Sequence, residues 1–426
     1  MISFWRIFWL EFTGFVRSKT LALLVAASAL WMLGLPFVMK GDGTADGARE
    51  LYIHYSLGGV FTLLVIALLA SATGSLARER EAKRLQLTLV RPVRYALIVL
   101  GKILAHVAAG ALVLAVACTV LALKTDLAHP CSHVLSPILP SPREEAKAMY
   151  DVFMADPETP EAVKLAKKEV VLRLLQNKAL DHYQTVLTNG LTSWKFALPA
   201  EVRGAPSVRL RFTNQFDSRD TIRGTFTLEG WTAAVSNITQ AVLSVPLVSA
   251  DASAPQREVT PGPRSGQLSF ANEGRNALML RPRKDIAVLL PADAFVWNLA
   301  RAYVCLVAIL ALLVAFGLFL SASLGRPVAL FVAIVTVVVS EMSPSVIEQY
   351  PDELETKLSD RIGLMFTRAA AEVTRPVAAL NPLEKLSLDE CVEPALVRHA
   401  VLVDLLVLPF LLALISGYVL PRKQDD

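Results

Sequence analysis

The chain has 426 residues, of which 54% are hydrophobic and only 19% charged, a balance too apolar for a soluble globular protein and long enough for more than one domain. Its formal net charge is only +4, from 42 lysines and arginines against 38 acids, and the surplus bases sit in short segments beside apolar runs, which argues for membrane orientation and against a nucleic-acid partner. Four cysteines without a CxxC spacing exclude a zinc ribbon or a thioredoxin-like motif.

Residues 1–19 set Phe4, Trp5, Ile7, Phe8, Leu10, Phe12, Phe15 and Val16 among Arg6, Glu11, Arg17 and Lys19. That aromatic, base-flanked pattern predicts an interfacial helix leading into the first span. Ala27-Ser28-Ala29 offers a signal-peptidase alternative, but the apolar run continues to Met39. Span one is expected over Thr20–Met39, followed by a short loop over Lys40–Glu50, span two over Tyr52–Leu76 and span three over Tyr95–Leu123. His54 and His106 are expected to be satisfied packing histidines.

Between spans two and three, Arg78–Lys102 carries Arg78, Arg80, Lys83, Arg84, Arg91, Arg94 and Lys102 against Glu79 and Glu81. Such an excess of positive charge in a short connector marks it as cytoplasmic, so the N-terminus is expected on the same side and residues after Leu123 on the opposite one. Leu85, Leu87, Leu89 and Val90 follow the charges and precede Pro92, which predicts a short amphipathic helix over about Glu81–Val90 that ends in a turn.

At these residues the chain resembles the membrane subunits of type-2 ATP-binding-cassette (ABC) transporters. Glu79-Arg80-Glu81, Leu85, the leucine run with Leu87, Pro92-Val93 and Gly101-Lys102 fall at that family's spacing. Lys83 and Arg84 replace its usual Gly-Thr, and Gln86 its usual Glu, which makes this connector more basic. The resemblance implies a coupling helix that fits a groove in a separate ATPase subunit. Glu79, Arg80, Glu81, Arg84, Leu85, Leu87 and Pro92 would then be the residues that couple the two chains. It further implies a second permease copy, or a related permease, as partner.

Residues 124–294 change from apolar runs to soluble alternation and are expected to form an extracytoplasmic α+β domain. Pro142–Leu187, interrupted at Asp156–Pro160, predicts two helices. Trp194, Phe196 and Leu198 alternate with Lys195 and Ala197, and Val208, Leu210 and Phe212 alternate with Arg209 and Arg211, as half-buried strands do. Further strands are expected near 225–228, 242–248, 267–270, 277–280 and 286–290, together an antiparallel sandwich. Arg203, Arg209, Arg211, Arg219 and Arg223 read as a solvated sheet face in preference to a basic site for anionic lipid or glycan, and Asn237-Ile238-Thr239 fits a glycosylation sequon.

Span four is expected over Phe295–Ala322 and span five over Pro327–Met342, the latter short enough to be half of a re-entrant hairpin. The loop 343–397 has ten acids against five bases, fitting the outer side, and Leu354–Val373 predicts an amphipathic helix with Ile362, Met365, Phe366 and Ala369 on one side. Span six is expected over Arg398–Leu420 with a kink at Pro409, and Arg422 and Lys423 hold the tail inside. Cys118 and Cys305 fall within spans as packing residues. In this topology only Cys131 and Cys391 share the outer side, which predicts either a disulfide between them or two free thiols. Peptide mass mapping with and without reductant checks the bridge. A linked peptide would establish it, and its absence from the unreduced digest would remove it.

No GxxxxGK[ST] phosphate loop, HExxH zinc motif or GxSxG elbow occurs, so the chain cannot supply its own ABC-type ATP site and no cofactor is expected in it. ATP and magnesium would belong to a partner ATPase, and this chain would be a transport subunit and not an enzyme. Asp404 is the most conspicuous acid in an apolar run; it is either a functional intramembrane carboxylate or an acid relieved by water near the outer interface. Glu341 is its counterpart at the end of span five.

The expected architecture is a six-span helical inner-membrane protein, with residues 1–123 and 295–426 forming the membrane part and both termini cytoplasmic. The expected function is that of an ABC permease subunit moving an unidentified substrate with ATP hydrolysed by a separate chain. A non-transporting sensor or scaffold with a ligand-binding outer β domain is the alternative. An intramembrane protease would need a second membrane aspartate, which the apolar runs lack.

Overall fold

The computed structural model describes residues 2–39, 45–81, 94–127, 129–139, 142–157, 159–199, 205–211, 213–214, 222–228, 231–237, 242–249, 264–275, 277–280, 282–349 and 381–422. They form two units, one from Met1–His129 with Ala294–Asp426 and one from Pro130–Asp293. In the first unit, α1 (Ile2–Arg17) runs to a sharp turn where Lys19 takes the left-handed conformation at φ 59°. The turn releases the chain into α2 (Thr20–Val38), which carries no charged residue. Helices α3 (Ala45–Glu81) and α4 (Tyr95–Lys124) follow.

The sequence expectation for span two differs from the structure at both ends. Helix α3 has 37 residues and so extends about 55 Å, well beyond the roughly 30 Å apolar layer of a bilayer. Arg78–Glu81, expected in the connector, are its last turn, because nothing between Leu76 and Glu81 breaks a helix.

The inserted unit opens with β1 (Pro130–Leu135) and the helices α5 (Pro142–Ala155), α6 (Glu161–Lys164) and α7 (Lys168–Gln184). Ala146, Val171 and Leu175 form the small core that joins α5 to α7. Strands β2 (Thr185–Val186), β3 (Leu191–Leu198), β4 (Ser207–Arg211), β5 (Thr213–Asn214), β6 (Ile222–Leu228) and β7 (Trp231–Asn237) come next. They are followed by β8 (Val242–Pro246), β9 (Val248–Ser249), β10 (Arg264–Asn272), β11 (Leu278–Met279), the short α8 (Pro282–Asp285) and β12 (Ile286–Ala294). The sheets have the orders β1-β12-β4-β8, β3-β10-β6-β7-β9 and β2-β11-β5.

Alternation along β3 buries Trp194, Phe196 and Leu198 as expected, and the two aromatic residues pack in one core with Val208 and Leu210 of β4 and Val288 of β12. Two sheets thus share an interior in the manner of a sandwich. Phe226 and Phe270 meet across the β6–β10 pair with ring centroids 4.5 Å apart. The solvated arginine face is corrected at one position: Arg209 is buried, at 5% exposed, while Arg223 is exposed.

The chain returns through α9 (Phe295–Ser323) and α10 (Arg326–Gln349), and the described residues resume with α11 (Leu383–Ser387). Helix α12 (Pro394–His399), a π-helical segment (Ala400–Val407) and α13 (Leu408–Arg422) then run on as one rod. In place of a simple proline kink, the eight π residues end just before Pro409, whose missing N–H leaves the ladder room to rewind.

Among the described residues five stretches are long and apolar enough to cross a membrane: Thr20–Val38, Gly47–Glu79, Tyr95–Lys124, Phe295–Ser323 and Pro394–Val419. Arg326–Val339 is a shorter apolar helix. Helix α9 is the centre of the bundle, with 72% of its apolar window buried against 22% for the α2 window. Small residues let helices approach: Gly317 of α9 lies against Leu69 and Ala72 of α3, and Gly417 of α13 sits on the backbone of Ala96 of α4. The expected helix over 354–373 lies outside the described residues, as does the expected coupling helix from Ala82 onward.

Candidate functional site

Three segments distant in sequence converge on one ammonium group. Lys102, in the second turn of α4, is 1% exposed. Its Nζ donates to Glu79 Oε1 at 2.8 Å and to Ser75 Oγ at 2.9 Å, and also to Glu11 Oε1 of α1. A lysine has three donors, and here each has an acceptor. Ser75 and Glu79 lie four apart and therefore share one face of α3. The two carboxylates are partly exposed, at 22% and 33%, whereas the cation between them is sealed.

The rest of α1 explains how Glu11 is delivered. Phe4, Ile7, Glu11 and Phe15 recur at three- and four-residue spacing and form one stripe. Gly101 gives the stripe its close approach: a Cβ there would meet Ile7 Cγ2 at 3.0 Å and the Phe4 carbonyl oxygen at 3.6 Å. Phe15 meets His106 edge-on with ring centroids 4.8 Å apart. The buried His106 is also held by the Lys102 carbonyl oxygen at 2.8 Å and by Ser71 Oγ at 3.2 Å, so it packs as expected. The Gly101-Lys102 pair thus has a local physical role. The glycine admits α1, and the lysine ties α1 to α3.

At the same level as this triad, α9 reaches the backbone of α3. Ser321 Oγ donates to the Thr73 carbonyl oxygen at 2.8 Å and accepts from the Ala77 N–H at 3.2 Å. Thr73 and Ala77 are a pair that an α-helix joins directly, so a hydroxyl that bonds both groups competes with the helical bond at this point of α3. Arg78 Nε donates to the Gly74 carbonyl oxygen at 2.8 Å, and the Arg326 side chain lies beside Gly74.

A second polar cluster gathers the start of α3, the segment after α4, the start of α9 and the segment after α11. Arg49 donates from Nη1 to Asp389 Oδ2 at 3.1 Å, sets Nη2 3.1 Å from Oδ1, and lies over the Phe295 ring at 5.1 Å. His129 Nε2 is 3.4 Å from the same carboxylate. Buried Asn298 accepts from the Val392 N–H at 2.7 Å and donates to the Glu390 carbonyl oxygen at 2.8 Å.

Of the residues singled out in the sequence, Glu79 belongs to the triad; Arg80 and Glu81 continue the α3 backbone. Arg84, Leu85, Leu87 and Pro92 lie outside the described residues. Asp404 is fully buried in the π segment, with Oδ2 3.1 Å from His399 Nδ1. Cys131 is buried on β1 and Cys391 is buried ahead of α12; the free cysteines are Cys118 and Cys305. Among the described residues no group of three or more histidine, cysteine or acidic side chains is placed to hold a metal ion.

Glu11, Ser75 and Asn298 were missed as site residues. Glu11 had a readable signal, since it is the only acid in α1 and falls on the apolar stripe. No family model matches the chain, and neither a curated protein nor a solved structure is significantly similar to it.

Proposed function

We propose that the chain is the membrane-spanning permease subunit of an ABC transporter, taking mechanical work from a separate ATPase at the basic connector 82–93 and using it to move an unidentified substrate. The observation that carries this reading is the Lys102 triad. It clamps both roots of the connector, Glu79 on α3 and Lys102 on α4, to the N-terminal helix, so a push on the connector is passed to three helices at once. The Ser321 contact gives α3 a place to bend at the same level.

In this reading the membrane unit crosses six times, with both termini cytoplasmic and residues 124–294 on the other side. Support for the sixth crossing comes from the ends of the interval: Arg326 lies beside Gly74 near the triad, whereas Leu383 lies 3.9 Å from the position of a Cβ on Gly58, nearer the Arg49 end of α3. Helix α10 has 24 residues, enough to carry the chain across.

Reversing the charge at Arg80 and Arg84 together is expected to abolish co-purification of an ATPase from native membranes while leaving the amount of folded protein unchanged. Retention of an ATPase would remove the connector from the interface. Failure to find one with the unaltered protein would favour the sensor or scaffold alternative.

A further inference from the structure

We propose that Asp404 and His399 form a proton-binding site inside the last span, filled and emptied through the histidine ring. The inference does not rest on the ATPase-driven reading. It begins with a carboxylate that has no exposed surface: Ala400 and Asp404 are the buried positions of the π segment, and Leu402 and Leu406 of the same segment are 59% and 56% exposed. Asp404 thus points at the bundle, against α9. Its Oδ2 has one partner, His399 Nδ1 at 3.1 Å, and its Oδ1 is buried without a hydrogen-bond partner among the described residues.

The π winding creates the pair. In an α-helix, residues five apart project about 140° from one another, whereas the wider turn of a π-helix returns them to one face. His399, which leads into the π segment, is thereby placed over Asp404, five residues on. Its side chain is 55% exposed while the carboxylate is sealed, so the ring joins surface to interior.

Among the described residues His399 is the one basic group that acts on the carboxylate. Across the interface α9 presents the Cys305 thiol, which also feels the charge of Lys385; α12 contributes the exposed Arg398 beside His399, and α13 has no ionisable side chain before Tyr418. A lone ionised carboxylate in an apolar span costs about 2.5–3.5 kcal/mol, a penalty that uptake of one proton removes.

The transfer balances with one proton and two tautomers. With Asp404 ionised, the neutral ring carries its hydrogen on Nδ1, facing Oδ2. A proton arriving at Nε2 makes the imidazolium, the Nδ1 hydrogen passes to Oδ2, and the ring is left neutral with hydrogen on Nε2. Release is the reverse. The charge of the pair changes from −1 to 0, so occupancy alters how strongly the segment resists burial against α9.

The test uses the full chain in lipid nanodiscs. Infrared difference spectra on lowering pH should show the carbonyl stretch of a buried carboxylic acid, absent in Asp404→Asn. In His399→Gln, which fills similar space but cannot relay a proton, the band should rise about tenfold or more slowly after a pH jump. Should Asp404→Asn fail to fold, labelling of the unaltered protein with an apolar carbodiimide, mapped by mass spectrometry, gives the same answer. Asp404 should be modified increasingly as pH falls. No Asp404-dependent band or label across the pH range, or an unchanged rate in His399→Gln, would overturn the proposal.

Discussion

Lys102→Met is expected to be the most damaging single substitution in the membrane unit, because methionine fills the space but leaves Glu11 and Glu79 facing each other without a cation. Removing one partner from a buried ion pair typically costs about 3–5 kcal/mol. The two carboxylates keep some contact with water, which places this case near the lower end, at about 3 kcal/mol. The loss should appear as earlier thermal unfolding of the purified protein and as proteolytic release of α1. Neutralising all three groups together, with Glu11→Gln, Glu79→Gln and Lys102→Met, should restore most of the stability, because the penalty comes from the stranded charges. If the single and triple variants melt alike, the ammonium is not what holds α1.

Asn298→Ala is expected to free the segment that precedes the last span. The side chain both accepts from the Val392 N–H and donates to the Glu390 carbonyl oxygen, and alanine can do neither. A buried N–H that loses its acceptor costs about 1–3 kcal/mol, so a mid-range loss of about 2 kcal/mol corresponds to roughly thirtyfold faster hydrogen exchange at Val392. The Arg49–Asp389 contact sits on the other side of the same segment and should hold its far end. The change should therefore be confined to the residues around 390–392. Unaltered exchange at Val392 would mean that packing of Leu386 and Val392, both fully buried, holds the segment without the asparagine.

The parts of the fold that could be read in the sequence are those set by long or strictly alternating patterns. The spans beginning at Thr20, Tyr95 and Phe295 are marked by uninterrupted apolar windows, and β3 by Trp194, Phe196 and Leu198. Strand β1 escaped because Pro130, Ser132 and His133 dilute its alternation. In β7 the inward positions are Ala233 and Val235, too small to stand out from Thr232 and Ala234. The π segment has no sequence signature beyond Pro409.

The triad was half legible. Glu79 and Lys102 stood out through the connector motif, but Glu11 is 91 residues from Lys102, and only tertiary packing could bring them together. Asn298 and Arg49 belong to the same class: single polar residues at span ends whose partners lie 340 residues away or 94 residues away along the chain. Local periodicity cannot report such pairings.

The central claim is that another polypeptide acts on this chain through residues 82–93. It is tested most directly by placing a photo-crosslinking amino acid at Leu87 and irradiating intact cells. The account predicts an adduct with a nucleotide-binding ATPase, weakened when Arg84 is reversed in charge. Adducts formed only with lipid, or with proteins of the extracytoplasmic compartment, would contradict it.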